Sequence, residues 1–259
     1  MALTLNPAID DWSLRRVWVV GSSSGIGAAL AEQLLQAGAE VILSSRSIEP
    51  LRRLANHYPR ARVEPLDVSQ PPAWNAAWLS LLRQDKLPDL VVFCAADYRP
   101  EHIWQVESAL ADRTLAVNLA GVYYGLETIL PHMLAQGRGG IALIASVAGY
   151  VGLPGAAVYG PSKAALINLA ELLYAELNPR GLAVYLINPG FVKTALTARN
   201  HFAMPALLTP PQAAGHIRRG LERGRFEIHF PYRFTLWLKL LRMLPYRLRL
   251  PLLKRLART

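Results

Sequence analysis

The 259-residue sequence contains a single cysteine, Cys94. One cysteine cannot form an intrachain disulfide, and this usage is typical of a reducing, cytoplasmic compartment. The six histidines are scattered and no cysteine pair accompanies them, so no group of residues has the spacing of a metal site. We therefore expect a cytoplasmic protein that carries no metal.

Long hydrophobic runs are also absent. No stretch reaches eighteen uncharged apolar residues, and the apolar run Val17–Val20 stops at Gly21. Residues 1–16 contain no apolar core of the kind found in signal peptides. The sequence thus favours neither a signal peptide nor a transmembrane helix, and it predicts a protein that is at most peripheral at the inner face of a membrane.

Acidic residues are missing from residues 231–259, which contain eight Lys and Arg residues. The formal net charge of the chain is +10, so residues 1–230 account for only +2 (10 − 8). The basic character therefore belongs to the C-terminal segment. No recognisable motif for reading nucleic acid accompanies it, and we expect no nucleic-acid partner.

The hydrophobic content of 52% is sufficient for one sizeable α/β domain at this length. Apolar runs typical of strands alternate with stretches typical of helices, and this alternation predicts a parallel, doubly wound sheet with its ligand site at the carboxyl ends of the strands. We divide the chain into a lead-in, residues 1–14, a Rossmann-like catalytic domain, residues 15–230, and a basic amphipathic C-terminal extension, residues 231–259.

A glycine-rich turn follows the first predicted strand, Val17–Val20, and precedes a predicted helix, Ala28–Ala37. This order places backbone N–H groups at the start of a helix, where they can receive a phosphate. The residues of the turn predicted to contact a dinucleotide are Gly21, Ser23, Ser24, Gly25, Ile26 and Gly27.

The second predicted strand, Glu40–Ser44, ends at Ser45 and Arg46. In dinucleotide sites a carboxylate at this place binds the adenosine ribose, whereas a cation accommodates a 2′-phosphate. Because Arg46 is present and no acid is, we predict NADP(H) in preference to NAD(H). An arginine that is merely solvated in a loop is the alternative.

Two later strand ends contribute further predicted contacts with the cofactor. Asp67 and Val68 follow the predicted strand Val63–Leu66 and are placed to contact the adenine. The predicted strand Leu90–Cys94 leads into Ala95 and Ala96, whose small side chains would allow the cofactor to approach the backbone.

Tyr159 and Lys163 are four residues apart on a predicted helix, so they share one face. A neighbouring ammonium favours the phenolate and would lower the pKa of Tyr159 into a range useful for acid–base chemistry. Ser146 follows the predicted strand Ile141–Ala145 and offers a second hydroxyl. The same spacing of tyrosine and lysine also arises by chance in helices, so the interpretation depends on the surrounding motifs.

Together these residues resemble the short-chain dehydrogenase/reductase family over roughly residues 15–230. Asn118, Ser146, Tyr159 and Lys163 match the catalytic tetrad of that family, including the spacing from serine to tyrosine. The resemblance implies that Tyr159 exchanges a proton with a carbonyl or alcohol oxygen that Ser146 also binds. It further implies that Lys163 holds the nicotinamide ribose and that Asn118 holds a water molecule.

Other parts of the family pattern match less completely. The three turn glycines match, whereas Val20 replaces the family's threonine, and the segment Phe93–Ala96 retains one of the four positions of the motif Asn-Asn-Ala-Gly. Side-chain support of the neighbouring turn must therefore differ from that in the family. The segment that covers the nicotinamide in the family corresponds to Pro189, Gly190, Val192 and Thr194.

Residues 195–209 occupy the place of the family's substrate lid, and their mostly apolar side chains favour a hydrophobic substrate. A lid whose apolar side packs on the body is an equally good explanation. Within this segment, Arg199 and His201 are candidates for contact with a polar head of the substrate.

The C-terminal segment contains a predicted amphipathic helix, residues 234–244. One face would carry Phe234, Trp237, Leu238, Leu241 and Leu244, and the opposite face Thr235, Lys239 and Arg242. Such a helix suits the surface of an anionic membrane. It equally suits a cover over the substrate pocket or a subunit interface, and these interpretations are compatible.

The sequence therefore favours an NADP(H)-dependent carbonyl reductase or alcohol dehydrogenase that acts on a small hydrophobic substrate. The alternative is a non-catalytic dinucleotide-binding sensor or scaffold attached to membranes by its C-terminal segment, which would not need a proton donor. Relatives commonly form dimers or tetramers through the helices that here contain Asn118 and Tyr159, so the resemblance implies a homodimer or homotetramer.

Overall fold

The computed structural model describes residues 4–200 and 204–256. Within them one sheet is formed by the strands β1 Arg16–Val20, β2 Glu40–Ser44, β3 Ala61–Val63, β4 Leu90–Phe93, β5 Gly139–Ile144, β6 Leu182–Pro189 and β7 Glu227–Phe230. The α-helices are α1 Gly25–Gln36, α2 Ile48–His57, α3 Pro71–Arg83, α4 Ser108–Leu115, α5 Gly121–Gln136, α6 Tyr159–Leu177, α7 Pro210–Glu222, α8 Tyr232–Met243 and α9 Tyr246–Leu256.

The strands of this sheet are parallel and follow the order β3-β2-β1-β4-β5-β6-β7. The order reverses between β1 and β4, which are neighbours although β2 and β3 separate them along the chain. Open parallel sheets bind ligands in the crevice at such a reversal. The predicted single α/β domain with a doubly wound, Rossmann-like sheet is confirmed.

Buried apolar side chains cover both faces of the sheet, as expected for parallel strands that read as continuous hydrophobic runs. On one face Trp18 of β1 packs against two tryptophans of α3, with ring-centroid distances of 5.5 Å to Trp74 and 6.3 Å to Trp78. Both tryptophans therefore belong to the hydrophobic core between α3 and the sheet.

Residues 103–136 form several helical pieces and no single continuous helix. A 3-10 turn at Ile103–Gln105 precedes α4, and a π-helical segment, Ala116–Ala120, separates α4 from α5. A Cβ atom on Gly121, the first residue of α5, would lie 2.7 Å from the backbone oxygen of Val68. Only glycine therefore allows α5 to begin so close to the backbone at Val68. The third strand, predicted at residues 63–66, lies at residues 61–63.

The N-terminal segment is fastened to the body by contacts that its sequence did not reveal. The Asn6 side chain exchanges two hydrogen bonds with the backbone of Val184, at 2.8 and 3.0 Å. The indole of Trp12 is buried and donates to Glu222 at 3.0 Å. Both contacts join the start of the chain to β6 and α7.

Helix α8 turns most of its predicted apolar face to the body, since Phe234, Leu238, Leu241 and Leu244 pack there, but two residues differ from the prediction. Thr235, placed on the solvent side by the sequence analysis, is buried together with Leu238 and Leu241, whereas Trp237 is 49% exposed. The hydroxyl of Thr235 is paired with His229 at 2.7 Å, and Lys239 forms an ion pair with Glu227 at 2.5 Å. The polar end of β7 therefore sets the rotation of α8, which hydrophobicity alone could not indicate.

Candidate active site

A cavity of about 1510 Å³ opens at the carboxyl edge of the sheet. Its lining includes almost every residue that the sequence analysis assigned to cofactor or catalysis. These are Gly21, Ser23, Ser24, Gly25, Ile26, Gly27, Ser45, Arg46, Val68, Ala95, Ala96, Ser146, Tyr159, Lys163, Pro189, Gly190, Val192 and Thr194. Two assigned residues, Asp67 and Asn118, do not line it.

The glycine turn connects β1 to α1 and lies against the backbone after β4. A Cβ atom on Gly21 would lie 2.4 Å from the backbone nitrogen of Ala95, and one on Gly27 would lie 2.2 Å from the backbone oxygen of Gly21. Gly21 also has a φ of +96°, a conformation that favours glycine. Within the described residues the Ser24 side chain makes no capping hydrogen bond, and Gly25 and Ile26 line the cavity. The start of α1 therefore suits a phosphate.

We expect Gly27→Ala to lower the free energy of unfolding by about 2–3 kcal/mol, because the added methyl group meets rigid backbone. For a chain of this size that corresponds to a decrease in Tm of roughly 5–10 °C, measured by circular dichroism. Gly152→Ala is the matched control, since a Cβ atom there would meet no atom within 4 Å. Equal Tm values for the two variants would contradict the tight turn.

Arg46 lies two residues after the end of β2, is exposed and lines the cavity. The hydroxyl of the preceding Ser45 donates to the Ser47 oxygen at 2.8 Å, which keeps this short loop turned at the strand end. No carboxylate lies between Ser44 and Ile48. A cation without a competing acid fits a 2′-phosphate better than a free ribose diol.

Of the two residues predicted to contact the adenine, Val68 lines the cavity and Asp67 does not. Val68 lines the cavity together with Leu66, so an apolar wall is present where adenine was expected. Asp67 instead accepts hydrogen bonds from the backbone N–H and the hydroxyl of Ser69, at 3.0 and 2.7 Å. Its carboxylate closes a local turn, a role that an aspartate two residues before a serine often takes.

Asn118 lies in the π-helical segment and is 1% exposed. Its side-chain oxygen accepts from the backbone N–H of Asp97 at 2.7 Å, and its side-chain nitrogen donates to the Asp97 oxygen at 2.9 Å and to the Ser162 hydroxyl at 3.1 Å. This amide therefore ties the turn after β4 to α6. That connection supplies support for the turn in a chain that lacks most of the Asn-Asn-Ala-Gly motif.

Ser146, Tyr159 and Lys163 converge on the same part of the cavity. Ser146 follows β5, while Tyr159 begins α6 and Lys163 lies one turn later. The Lys163 nitrogen lies 5.5 Å from the centroid of the Tyr159 ring and donates to the oxygen of Ile144 at 2.8 Å. Lys163 is 2% exposed, so a cationic group is held inside the protein beside a phenol and the end of a strand.

Burial shifts the pKa values of this pair in opposite directions. It raises the pKa of Tyr159 to about 12, although hydrogen bonding with the Ser146 hydroxyl acts to lower it. Burial lowers the pKa of Lys163 to about 8. The expectation of a lowered pKa for Tyr159 is therefore wrong for this structure, because loss of solvent around the phenolate outweighs stabilisation by its neighbours. At neutral pH the phenol is protonated and the amine is mostly cationic.

Tyr98 is a site residue that sequence reasoning missed. Its ring lies 4.8 Å from the Tyr159 ring in an edge-to-face arrangement, and its hydroxyl donates to Asn200 at 2.5 Å. The Tyr98 backbone oxygen accepts from Arg199 at 2.9 Å, so Arg199 is bound to the cavity wall. His201 lies outside the described residues. Position two residues after Ala96 was the only sequence signal that could have pointed to Tyr98.

Helix α8 also contributes to the cavity, through Phe234, Trp237 and Leu238. Phe234 packs against Phe191 with a ring-centroid distance of 5.7 Å. The interpretation of this segment as a cover over the substrate pocket therefore has a structural basis in these three side chains. In residues 4–200 and 204–256, no three His, Cys, Asp or Glu side chains lie together as a metal ion would require.

The short chain dehydrogenase family profile matches residues 15–203 of this chain. An uncharacterized oxidoreductase from Myxococcus xanthus is 33% identical over 239 residues, which cover 91% of this chain and 94% of that protein. The match thus extends well beyond the site itself.

Solved structures resemble the chain at lower identity. A short-chain dehydrogenase from Sphingobium yanoikuyae in complex with NADPH has a TM-score of 0.78 and 24% identity, covering 88% of this chain and 92% of its own. A short chain dehydrogenase/reductase from Burkholderia phymatum in complex with NAD has a TM-score of 0.82 and 22% identity, covering 90% of this chain and 94% of its own. These structures show the fold, while the family match and the Myxococcus relative show that the chain belongs to the short-chain dehydrogenase family of oxidoreductases.

Proposed function

We propose that this protein is an NADP(H)-dependent oxidoreductase that interconverts a carbonyl group and a secondary alcohol on a hydrophobic substrate. The observation that carries the proposal is the convergence of Ser146, Tyr159 and Lys163 on one cavity that also contains the glycine turn and Arg46. A non-catalytic dinucleotide sensor would need the turn but not a half-buried phenol beside a buried amine and a buried hydroxyl.

The dinucleotide would lie along the carboxyl edge of the sheet. Backbone N–H groups of the turn from Gly21 to Gly27 would hold its phosphates, and Arg46 would pair with a 2′-phosphate. Pro189, Gly190 and Thr194 also line the cavity and are proposed to hold the nicotinamide end. When bound, the cofactor supplies or accepts the hydride, and the chain supplies position and the proton.

Tyr159 would act as the proton donor during reduction of a carbonyl. Its raised pKa keeps the phenol protonated at neutral pH, which is the form that can give a proton to a developing alkoxide. Ser146 would donate a second hydrogen bond to the same oxygen. Lys163 would hold positive charge beside the phenol and favour the phenolate as the proton leaves. Asn118 would position the turn and α6 through its three hydrogen bonds.

The substrate end of the cavity has mostly apolar walls. Leu153, Phe191, Leu196, Phe234, Trp237 and Leu238 line it. Polar side chains also line the cavity, among them Tyr98 and Asn200, which are bonded to each other, and Glu101, His102 and Gln105. A strongly polar substrate placed against the apolar walls would lose hydration without compensation, and the proposal is accordingly a hydrophobic ketone or alcohol.

Activity should depend on pH through Lys163. Burial lowers the pKa of this amine to about 8, so its positive charge is present below that pH and is lost above it. If reduction needs the cation, kcat/KM for the carbonyl substrate is flat below about pH 8 and falls about tenfold per pH unit above it. A profile that stays flat to about pH 10 would contradict a role for the charge of Lys163.

The proposal is tested by following NADPH absorbance with a panel of ketones of increasing apolar size. We expect consumption that improves with apolar size and is weaker with NADH. Binding of NADPH without turnover of any ketone, aldehyde or, in reverse, secondary alcohol would favour the sensor alternative.

We further propose a cytoplasmic location and a homodimer or homotetramer. Exposed apolar side chains occur on α5 and α6, including Tyr123, Leu134 and Leu172. These are the helices through which relatives were expected to associate. Among the described residues no helix is both long and apolar enough to cross a membrane.

A further inference from the structure

The C-terminal helices α8 and α9 leave a band of large apolar side chains uncovered. Met243 is 80% exposed and Leu240 is 61% exposed, although side chains of this kind are normally covered or scattered singly. We call this band, together with the cations on the same helices, the C-terminal face. Its apolar members are Tyr232, Leu236, Trp237, Leu240, Met243, Tyr246, Leu248, Leu250 and Leu252.

Cations accompany these apolar groups, and their own segment supplies no acidic partner for them. Residues 231–259 contain no Asp or Glu, and within the described part of the chain Lys239 is the one cation of this segment that forms an ion pair. The exposed cations are Arg233, Arg242, Arg247, Lys254 and Arg255. A partner of this face must therefore offer both apolar volume and negative charge.

The C-terminal face is continuous with the cavity. Trp237 lines the cavity and is also 49% exposed. A second segment also joins the cavity to exposed apolar side chains. His102 and Gln105 line the cavity. The two residues between them, Ile103 and Trp104, are 71% and 78% exposed. Exposed apolar groups thus border the cavity from two segments. Tryptophan with one side in a protein and the other exposed is typical of the boundary between water and lipid.

We propose that the C-terminal face docks on an anionic lipid surface, with the cavity opening next to that surface. An amphipathic helix that is cationic and apolar lies in the plane of such a surface. Burial of its apolar side chains and attraction of its cations to anionic lipid both contribute to binding. A second copy of this chain fits less well, since pairing the same face would bring cations against cations. Ile103 and Trp104 would form a second point of contact.

The placement also gives the apolar cavity a source of substrate. A hydrophobic ketone partitions into the bilayer, and an opening bordered by Trp237 beside that bilayer would spare the substrate a passage through water. This last step rests on the proposed function, whereas the docking itself does not.

The test is co-sedimentation of the full-length protein with vesicles of phosphatidylcholine, with and without phosphatidylglycerol. One variant carries Leu240→Glu and Met243→Glu. A second carries Arg242→Gln, Arg247→Gln, Lys254→Gln and Arg255→Gln. The matched control carries Leu79→Glu and Leu82→Glu on α3, where both side chains are 47% exposed, so the charge change and the apolar loss are comparable.

We expect the unmodified protein and the control to bind anionic vesicles at least about tenfold better than neutral ones, since each cation near the surface contributes about fivefold. The Leu240/Met243 variant should lose at least about tenfold in binding to anionic vesicles, and the glutamine variant should lose most of its preference for anionic over neutral vesicles. Equal partition of the unmodified protein, or full binding by the Leu240/Met243 variant, would overturn the proposal. So would a dimer, measured by light scattering, that only the Leu240/Met243 variant disrupts.

NADPH binding is measured on the same samples. Vesicle binding by a chain that does not bind NADPH would support the docking surface and count against the proposed function. NADPH turnover without vesicle binding would support the proposed function and count against the docking surface.

Discussion

Replacing Tyr159 with phenylalanine is expected to lower kcat for carbonyl reduction by about a thousandfold, the scale of a lost general acid. The variant removes one oxygen and keeps the ring that packs 4.8 Å from Tyr98, so the cavity keeps its shape. NADPH affinity should stay the same, because the binding energy is assigned to the turn after β1 and to Arg46. The measurements are steady-state NADPH consumption and NADPH fluorescence titration.

Tyr185→Phe is the control for this experiment. Tyr185 is a buried tyrosine of β6 that does not line the cavity, and its hydroxyl makes a hydrogen bond of 3.4 Å to Pro7. Its variant should retain activity. If Tyr159→Phe retains activity as well, the phenol is not the proton donor and the proposed mechanism is wrong.

Replacing Arg46 with aspartate is expected to reverse the choice of cofactor. The substitution removes a charge-assisted contact with a 2′-phosphate, worth about 1.5–3 kcal/mol, and adds repulsion. It also supplies the carboxylate that binds a free ribose diol. We expect the ratio of kcat/KM for NADPH over NADH to fall by roughly a hundredfold to a thousandfold.

Arg52→Asp is the control for the change of charge. Arg52 is exposed on α2 and does not line the cavity, so its variant should keep the selectivity of the unmodified protein. If both variants lose the same selectivity for NADPH over NADH, the effect comes from the overall charge of the domain and not from a contact made by Arg46. If the ratio of kcat/KM for NADPH over NADH is unchanged in Arg46→Asp, Arg46 is a solvated loop arginine that does not contact the cofactor.

Much of the site could be predicted from sequence because its residues follow strand ends, and strand ends are marked by local chemistry. Gly21 and Gly27 are fixed by backbone contacts that exclude a Cβ atom, and a turn of that kind is recognisable without a structure. The helix that begins at Tyr159 was recognisable from Pro161 in its first turn and from the spacing to Lys163.

The remaining features depend on contacts that only the folded chain makes. The pKa of Tyr159 is raised because the folded chain removes water from the phenol, which the spacing to Lys163 could not reveal. The burial of Thr235 on α8 depends on its pairing with His229, and the placement of Lys239 on its ion pair with Glu227, both residues of the preceding strand β7. Asn118 was recognised as a site residue, yet its three partners lie on Asp97 and Ser162, and only the fold brings them together.

The most direct test of the account is a crystal structure of the full chain soaked with NADPH. The account predicts one cofactor along the carboxyl edge of the sheet, with its 2′-phosphate at Arg46, its pyrophosphate at the turn from Gly21 to Gly27 and its nicotinamide end beside Tyr159 and Lys163. A cofactor bound elsewhere, or one whose nicotinamide end points away from Tyr159, would contradict it.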